Sequence, residues 1–543
     1  MHPSLARLVA RTMSSAASTA RSYAAAIDAL NGLQSNAQVI DAIRKSGGKG
    51  GDVQLREQVE YMRRIGYEAA DLNRMNVLHI TGTKGKGSTS AFVSSILTTL
   101  APKAKVGLYT SPHMVAVRER IRINGEPIAE DVFARYFWEV WDRLEQADKP
   151  AADEATPEKP AYFRYLTIMA MHVFLSERVD ATILEVGVGG TYDSTNIVPQ
   201  PITTGVTALG IDHIWVLGKT LPEIAAQKGG IYKPGVPALA IQQPEGLDVL
   251  ESRAKELGAS SFTVVPEHPQ LKAIKLGLAG SFQRSNASLA IALVQSFLSS
   301  SRCPPAFRSL APASSAPSST SSASLPSLPS SLIAPTPLPS ALQKGLENAR
   351  WPGRCQTESD PLLGGEKVKW FLDGAHTVES LRCCGEWFRD DALAPTSSSE
   401  NTPTRFLIFN CTSGRSGSEL LSSLLSALAP PSSSELAQPF DHVVFCTNTT
   451  FASGDSKGDL TSNAVDASDL AALQTQHDLA SAFSTLVSSS SSSLKKAEIH
   501  VLSSIQEAVE LVRQEGEKRR VEALVTGSLH LVGGVMAVAE LPL

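Results

Sequence analysis

The sequence has few cysteines and no cysteine pair of the kind that binds zinc. Six cysteines occur among 543 residues, all from Cys303 onward, and none forms a C-x-x-C pair. Zinc ribbons and small secreted disulfide frameworks both depend on regularly spaced cysteines, so the composition argues against either. We expect reduced, buried thiols of the kind usual in intracellular proteins.

Long apolar runs and an excess of basic residues are also missing. No uncharged apolar stretch reaches the about 18 residues that suggest a membrane helix. The nearest, ALVTGSLHLVGGVMAVA at 523–539, contains His530 and small polar residues, and it favours a strand, a glycine turn and a helix. The formal net charge of -5 predicts no general affinity for nucleic acid. We therefore expect neither an integral membrane segment nor a nucleic-acid partner.

Acidic residues are missing from the start of the chain, where none precedes Asp28. The stretch is rich in Ser and Ala and carries three basic residues, Arg7, Arg11 and Arg21. This composition is typical of a mitochondrial transit peptide, which we assign to residues 1–22; the alternative is a disordered, incidentally basic tail. Met13 offers a second start that would drop much of the signal. We expect a mitochondrial form, in the matrix or at the inner membrane, and a cytoplasmic form.

The rest of the chain alternates short apolar runs with amphipathic segments. Runs such as NVLHI, ATILEV and GVTAL predict strands, and helical patterns lie around 130–147 and 164–177. Such alternation predicts a mostly parallel sheet covered by helices, within a domain at 23–350. A second pattern, with VKWFLD, RFLIF, HVVFC and EALVT as strands, predicts a smaller Rossmann-like domain at 351–543. Residues 303–340, mostly Ser, Pro, Ala and Leu, favour a disordered insertion.

The stretch HITGTKGKGSTSAF, residues 79–92, has the features of a phosphate-binding loop between a strand and a helix. It departs from the usual G-x-x-x-x-G-K-[ST] pattern because Gly87 separates Lys86 from Ser88. Glycines let backbone N–H groups turn toward an anion, and the following helix points its positive end there. Lys86 supplies a point charge, and Ser88 or Thr89 a hydroxyl for Mg²⁺. The predicted ATP-binding stretch comprises Gly82, Thr83, Lys84, Gly85, Lys86, Gly87, Ser88 and Thr89.

The loop GTKGKGST resembles that of the Mur-ligase and folylpolyglutamate synthase superfamily, in which the lysine is followed by Gly and then Ser or Thr. Further blocks are similar to folylpolyglutamate synthases and occur in that family's order. They include LYTSPHMVAVRERIRINGEPI, ILEVGVGGTYDSTNIV, LGIDHIWVLGKTLPEIAAQKGGIYKPG, NARWPGRCQ, FLDGAHTVES and LVTGSLHLVGG, and ALNGLQSN resembles the eukaryotic branch. The resemblance implies an α/β fold: a Mur-ligase-like P-loop domain with a mostly parallel sheet and a smaller Rossmann-like C-terminal domain.

The resemblance also implies a reaction. ATP would convert the γ-carboxylate of a tetrahydrofolate polyglutamate into an acyl phosphate, and the amine of L-glutamate would then attack this acyl phosphate. The added glutamates would retain folates in the cell. Two negative reactants must meet, so two Mg²⁺ ions and cationic side chains are expected, with K⁺ as a further candidate. A monomer is expected. Alternatives are a dihydrofolate synthase acting on dihydropteroate, a bifunctional enzyme, or a non-catalytic nucleotide-binding protein.

The resemblance implies roles for particular residues, according to the family block that each residue matches. The implied catalytic residues are Lys86, Glu185, His213 and Lys228. The implied metal ligands are Ser88, Ser111, Glu185, His213 and Lys228, the last as a carbamate. An acid among apolar residues is costly to bury without a partner, which favours the metal role of Glu185 over that of a solvent-facing edge-strand acid.

The remaining implied residues contact the two larger substrates. Those for ATP are Asn286, Arg354, Asp373 and His376, and those for folate are Arg118, Arg120 and Arg122. Asp373 has an alternative role as the cap of the following helix. The three arginines are equally compatible with surface charges on a loop.

Overall fold

A computed structural model describes the chain at 21–34, 51–147, 156–311, 325–363, 366–393, 402–411, 416–430, 436–453, 473–489 and 495–542. Most of the predicted presequence therefore lies outside the described residues. The chain divides into two compact units. Unit 1 comprises residues 1–113, 118–277 and 283–350, and unit 2 comprises 114–117, 278–282 and 351–543. Among the described helices, none is long and apolar enough to cross a membrane.

Unit 1 is built on an eight-stranded sheet in the order β4-β3-β2-β5-β1-β6-β7-β8. All neighbouring pairs from β2 to β8 are parallel, whereas β3 and β4 form an antiparallel edge. The central strands are buried on both faces, which explains their continuous apolar runs. The strands are β1 Val77–Thr81, β2 Val106–Tyr109, β3 Ile121–Ile123, β4 Glu126–Pro127, β5 Ala181–Glu185, β6 Thr203–Val206, β7 Pro237–Ile241 and β8 Ser261–Val265.

Helices connect the parallel strands of unit 1. Its helices are α1 Tyr23–Asn31, α2 Gly51–Arg64, α3 Lys86–Leu100, α4 Glu130–Gln146, α5 Tyr162–Ser176, α6 Ile214–Leu217, α7 Leu221–Gly229, α8 Leu247–Glu256, α9 Gln283–Ser299, α10 Ser330–Ile333 and α11 Ser340–Asn348. Helix α3 contacts β1, α9 and α11. Its first turn therefore starts directly at the carboxyl end of a central strand.

Unit 2 has a six-stranded sheet in the order β13-β12-β11-β14-β10-β9, parallel except for β9. Its strands are β9 Gln356–Ser359, β10 Val368–Leu372, β11 Thr404–Phe409, β12 His442–Cys446, β13 Glu498–Leu502 and β14 Val521–Thr526. Its helices are α12 Val378–Ala392, α13 Gly417–Leu428, α14 Gln474–Ser489, α15 Ile505–Lys518 and α16 Leu529–Ala539. Apolar clusters cover both faces of the sheet. The strand, turn and helix predicted at 523–539 are confirmed as β14 and α16.

The segment predicted as a disordered insertion contains packed residues at both ends. Phe307 is fully buried, and Leu332 and Leu338 are nearly so. The Pro326 carbonyl accepts a hydrogen bond from Phe262 N in β8 at 3.0 Å. The prediction for 303–340 is therefore wrong for 303–311 and 325–340, because the apolar residues scattered among its serines are enough to anchor them. Residues 312–324 lie outside the described part of the chain.

Candidate active site

Most of the predicted site residues of unit 1 follow the carboxyl ends of four adjacent strands. Ser111 follows β2, Glu185 ends β5, Gly82 follows β1, and His213 lies on the loop after β6. These strands are neighbours in the sheet, in the order β2-β5-β1-β6. Ligand sites of parallel α/β sheets form at this edge. The sheet thus gathers residues that are as far apart along the chain as Gly82 and His213, which are separated by 131 positions.

The glycine-rich loop needs glycine at two positions. Gly82 has φ 151° and Gly85 has φ 88°. A Cβ atom on Gly82 would lie 1.8 Å from Thr207 Oγ1, and one on Gly85 would lie 2.2 Å from Asn286 Oδ1. Thr83 and Lys84 donate backbone hydrogen bonds to the Ala208 carbonyl, at 2.8 and 3.1 Å. The loop is therefore held closely against the segment that follows β6.

Two lysines meet at one carbonyl oxygen of this loop. Lys86 Nζ donates to Gly82 O at 3.0 Å, and Lys228 Nζ donates to the same atom at 2.8 Å. Burial, together with the smaller effect of the Lys86 charge, lowers the pKa of Lys228 to about 7. Two amines crowded around one acceptor favour the arrival of an anion, which would offset their repulsion. The arrangement is suited to holding phosphate oxygens.

Hydroxyl groups line the start of α3. Ser88 Oγ accepts a hydrogen bond from Gln283 Nε2 at 3.2 Å, and Gln283 Oε1 accepts one from Asn286 Nδ2 at 2.9 Å. The buried Thr89 Oγ1 has no hydrogen-bond partner among the described residues. Gln283 is a site residue that the sequence analysis missed. Its only sequence signal is its spacing of three residues from Asn286 at the start of a helix.

Glu185 is buried at the end of β5, in the middle of the sheet. It is 4% exposed, and its Oε2 accepts a hydrogen bond from Ser111 N at 3.1 Å. The alternative of a solvent-facing edge-strand acid is therefore wrong. The carboxylate oxygens of Glu185, at the same sheet edge as the side chains of Ser88 and Ser111, are hard oxygen donors, and such donors fit Mg²⁺.

His213 is the exposed member of the five predicted metal ligands. Its backbone is left-handed, with φ 48°, and its Nε2 lies 4.0 Å from Asp212 Oδ2. Partial burial lowers the pKa of His213. The charge of Asp212 raises this pKa, whereas the charges of Lys86 and Lys228 lower it.

Asp193 is a second residue that the sequence analysis missed. Its Oδ2 accepts hydrogen bonds from the backbone amides of Gly187 and Val188, at 3.0 and 3.2 Å, and its Oδ1 accepts one from Thr195 N at 2.9 Å. The carboxylate thus closes the glycine-rich turn after β5. Its negative charge also raises the pKa of Lys228, against the effect of burial. An aspartate that bonds backbone groups near it in sequence is typical of glycine-rich turns.

The predicted nucleotide residues of unit 2 cluster around Asp373, after β10. Its Oδ2 accepts from Cys355 N at 2.8 Å, and its Oδ1 accepts from Ala375 N at 2.9 Å. Burial raises the pKa of Asp373, while the charge of Arg354 lowers it. His376 Nδ1 lies 2.8 Å from the Gly374 carbonyl.

The cap of helix α12 is Thr377, whose side chain accepts from Ser380 N. The alternative that Asp373 caps this helix is therefore wrong. Asp373 instead joins the loop after β10 to Cys355, the residue that precedes the neighbouring strand β9.

The three predicted folate arginines have different environments within unit 1. Arg120 is 2% exposed, and its Nε donates to His113 Nδ1 at 2.9 Å. Arg122 is 5% exposed and donates to the carbonyls of its own hairpin. Arg118 Nη1 donates to the Ile128 carbonyl at 3.3 Å. The surface-charge alternative is therefore wrong for Arg120 and Arg122, and the hairpin bonds give Arg122 a structural role.

Solved structures identify the class of protein to which this α/β fold belongs. The apo form of L. casei FPGS superposes with a TM-score of 0.63 at 20% identity, covering 96% of this chain and 100% of that one. Mycobacterium tuberculosis folylpolyglutamate synthase complexed with ADP gives a TM-score of 0.58 at 22% identity, covering 89% of this chain and 94% of the other. The fold is the Mur-ligase-like α/β fold with two domains.

Curated relatives then specify the family. The folylpolyglutamate synthases of Saccharomyces cerevisiae strains FostersO and S288c are 42% identical to this chain over 527 residues, which is 96% of this chain and 87% of theirs. A family model described as the C-terminal domain of dihydrofolate synthetase matches residues 362–538. The chain belongs to the folylpolyglutamate synthase family.

Proposed function

We propose that the protein is an ATP-dependent ligase that adds L-glutamate to the γ-carboxylate of tetrahydrofolate and its polyglutamates. The observation that carries this proposal is the 42% identity with yeast folylpolyglutamate synthase over 527 residues. The lysine pair at Gly82 O agrees with it, because a phosphoryl-transfer site must hold the anionic end of a nucleotide.

The reaction has two steps. The folate γ-carboxylate attacks the terminal phosphorus of ATP, which gives an acyl phosphate and ADP. The amine of glutamate then attacks the acyl carbon, phosphate leaves, and the amine loses a proton. Lys86 would hold the phosphoryl oxygens during the first step, when negative charge shifts toward the leaving group. The backbone amides of the glycine loop would orient the same group.

Ser88, Ser111 and Glu185 would hold Mg²⁺, with His213 and a modified Lys228 at a second ion. When bound, the metal ions would reduce the repulsion between carboxylate and triphosphate. K⁺ remains a further candidate. The support is the oxygen donor set at the ends of β2 and β5 and the unpartnered hydroxyl of Thr89.

The carbamate on Lys228 would form by attack of the neutral amine on carbon dioxide, with release of one proton. A lysine with its ordinary pKa is almost entirely charged at neutral pH and does not attack. Burial lowers the pKa of Lys228 to about 7, so roughly half of its amine would be neutral at that pH. This is the observation that supports the modification.

The test is an incubation of purified protein with Mg²⁺-ATP, labelled glutamate and either tetrahydrofolate or dihydropteroate, with products separated by glutamate number. A ladder of products on tetrahydrofolate is expected. Binding of ATP with no glutamate-dependent ADP release would show a non-catalytic protein and overturn the proposal.

A second candidate is dihydrofolate synthase activity, alone or in a bifunctional enzyme. The observation that favours it is the match of residues 362–538 to the dihydrofolate synthetase C-terminal domain. The same incubation separates the candidates. A single addition to dihydropteroate without a ladder would assign dihydrofolate synthase, and both products together would assign a bifunctional enzyme.

We further propose a monomer present in both mitochondria and cytoplasm, through starts at Met1 and Met13. The support is the acid-free, arginine-containing composition before Asp28. A fluorescent reporter fused after residue 30 should enter mitochondria when translation begins at Met1. A diffuse signal from that fusion would contradict the targeting proposal.

A further inference from the structure

Two histidines and a glutamate meet on one face of the unit 2 sheet, away from the residues discussed above. His442 begins β12 and Glu498 begins β13, and the two are direct partners in the parallel ladder. His500 lies two residues beyond Glu498, so its side chain points to the same face. The three residues, which we call the His442 cluster, are brought together by strand pairing from separate parts of the sequence.

The ligand atoms of this cluster are close together. His442 Nδ1 lies 3.2 Å from His500 Nε2 and 3.6 Å from a Glu498 carboxylate oxygen, while His500 Nε2 lies 3.8 Å from the other oxygen. Ligands at about 2.0–2.2 Å from a tetrahedral Zn²⁺ are about 3.3–3.6 Å apart. The two separations measured from His442 Nδ1, 3.2 and 3.6 Å, lie close to the two ends of that range, and one ligand atom from each of the three residues lies within 4.8 Å of the others. An octahedral ion with similar bonds would need ligands only about 3.0 Å apart.

The two rings are held in place by packing. The ring of His442 stacks on Phe406, with centroids 4.4 Å apart and planes at 18°. The side chains of His442 and His500 are 20% and 17% exposed, whereas that of Glu498 is 67% exposed. The nitrogen ligands are therefore already positioned, and an ion would have to order only the exposed carboxylate. The exposed side leaves room for a water molecule as the fourth ligand.

The nearby carboxylate of Asp441 is already engaged. It pairs with Lys495 at 2.6 Å and accepts a hydrogen bond from Arg405 N at 2.9 Å. Glu498 contacts the two histidine rings instead. A direct hydrogen bond between the rings would account for the 3.2 Å separation alone, but it does not account for a carboxylate oxygen near each ring.

We propose that His442, Glu498 and His500 form a binding site for a divalent transition ion, with Zn²⁺ as the ion that fits its donors and spacing. Imidazole nitrogen with one carboxylate suits Zn²⁺ better than the hard ions Mg²⁺ and Ca²⁺. The cluster lies at the amino ends of β12 and β13, whereas Asp373 lies at the carboxyl end of β10 in the same parallel sheet. A bound ion would tie the edge strand β13 to its neighbour β12.

The test uses full-length, chelator-washed protein titrated with Zn²⁺ alone in the presence of excess Mg²⁺. Mg²⁺ fills oxygen-rich sites without competing for imidazole pairs. The variants are His500→Gln and Glu498→Gln. The control is His477→Gln, because His477 is an exposed histidine of unit 2 on α14 and outside the cluster. Bound zinc is counted after equilibrium dialysis, and Co²⁺ replaces it for a visible spectrum that reports tetrahedral geometry.

Wild type and His477→Gln should bind one more zinc per chain than His500→Gln. Glu498→Gln should weaken that zinc by about tenfold or more. Zinc should raise the melting temperature of wild type more than that of Glu498→Gln, while synthase activity with Mg²⁺-ATP stays unchanged in this variant. Equal zinc number and affinity in wild type and both cluster variants would overturn the proposal. If His500→Gln fails to fold, Glu498→Gln decides, because its exposed side chain is not needed for packing.

Discussion

The two units place buried charge at the ends of their parallel strands in opposite ways. In unit 1 the loop after β1 brings two lysines to one carbonyl oxygen, and burial lowers the pKa of one of them to about 7. In unit 2 the loop after β10 carries a buried aspartate whose oxygens accept backbone amides. The lysine pair of unit 1 is unfavourable without a bound anion. The aspartate of unit 2 already has its hydrogen-bond partners within the unit.

The loops after β1 and β10 occupy similar positions in their sheets, but we expect the first to serve function and the second to serve stability. Charged residues that are paired only in the ligand complex are expected to lower the stability of the ligand-free protein. Residues satisfied by the backbone are expected to contribute to stability. Substitutions at the unit 1 lysines should therefore lower activity without lowering the stability of the nucleotide-free protein, whereas those at the unit 2 aspartate should lower stability.

Lys86→Ala should have the largest effect on activity. Removing a cation that faces transferred phosphoryl oxygens typically costs about 100- to 1,000-fold in kcat, and we expect the upper end. Steady-state ADP release with tetrahydrofolate and glutamate measures it. Lys103→Ala, at an exposed lysine of the same unit, is the matched control. A Lys86→Ala enzyme with a tenth of wild-type kcat would show that the lysine pair is not the phosphate site.

Lys228→Met should abolish activity yet stabilise the nucleotide-free protein. The pKa of Lys228 falls from 10.5 to about 7 on folding, so the unfolded chain binds more protons between those values. Wild-type stability therefore rises with pH across that window, and the variant lacks this dependence. The variant should be more stable by about 4 kcal/mol near pH 7, and the difference should vanish near pH 10.5.

Urea unfolding in carbon dioxide-free buffer at several pH values measures this difference. Lys233→Met is the control, because burial lowers the pKa of Lys233 only to about 8 and its effect should have the same sign and be smaller. Added bicarbonate should narrow the gap for Lys228 and leave that for Lys233 unchanged. A pH-independent difference would contradict the titration argument.

Asp373→Ala should act mainly on the stability of unit 2. It leaves the buried amides of Cys355 and Ala375 without their acceptor, at a cost of about 1–3 kcal/mol. Chemical denaturation followed by tryptophan fluorescence measures the loss. Asp373→Asn keeps one acceptor oxygen and should lose less. An Asp373→Ala protein with unchanged stability and a raised KM for ATP would instead give Asp373 a purely nucleotide-contacting role.

The sequence was sufficient for the parts of the fold that depend on local patterns. Continuous apolar runs predicted β1, β5, β10, β11, β12 and β14, and the glycine spacing predicted the loop that starts α3. The short strands β3, β4 and β9 were not predicted, because segments of 3, 2 and 4 residues are too short to show a periodic pattern. Their positions depend on neighbouring strands that sequence periodicity does not show.

Whether a site residue could be predicted also depended on whether its partners are near to it in the sequence. Lys86 and Glu185 were predicted from the glycine loop and the strand next to them together with the family resemblance. Gln283 was missed because its partner Ser88 is 195 residues away in the sequence. The burial of Arg120 was likewise hidden, since the partners His113 and Phe163 come from separate segments.

Thr377→Ala should have the smallest effect on stability, and it tests whether Thr377 is the N-terminal cap of α12. Thr377 caps this helix in a reciprocal arrangement with Ser380, and losing a cap costs about 1 kcal/mol. Thr377→Asn retains a capping oxygen and should match wild type in urea unfolding. Both variants should keep wild-type kcat, because the hydrogen bonds that form the cap join Thr377 to Ser380 within one helix turn. A loss of stability in Thr377→Asn as large as that in Thr377→Ala would show that threonine packing, and not capping, is what this position requires.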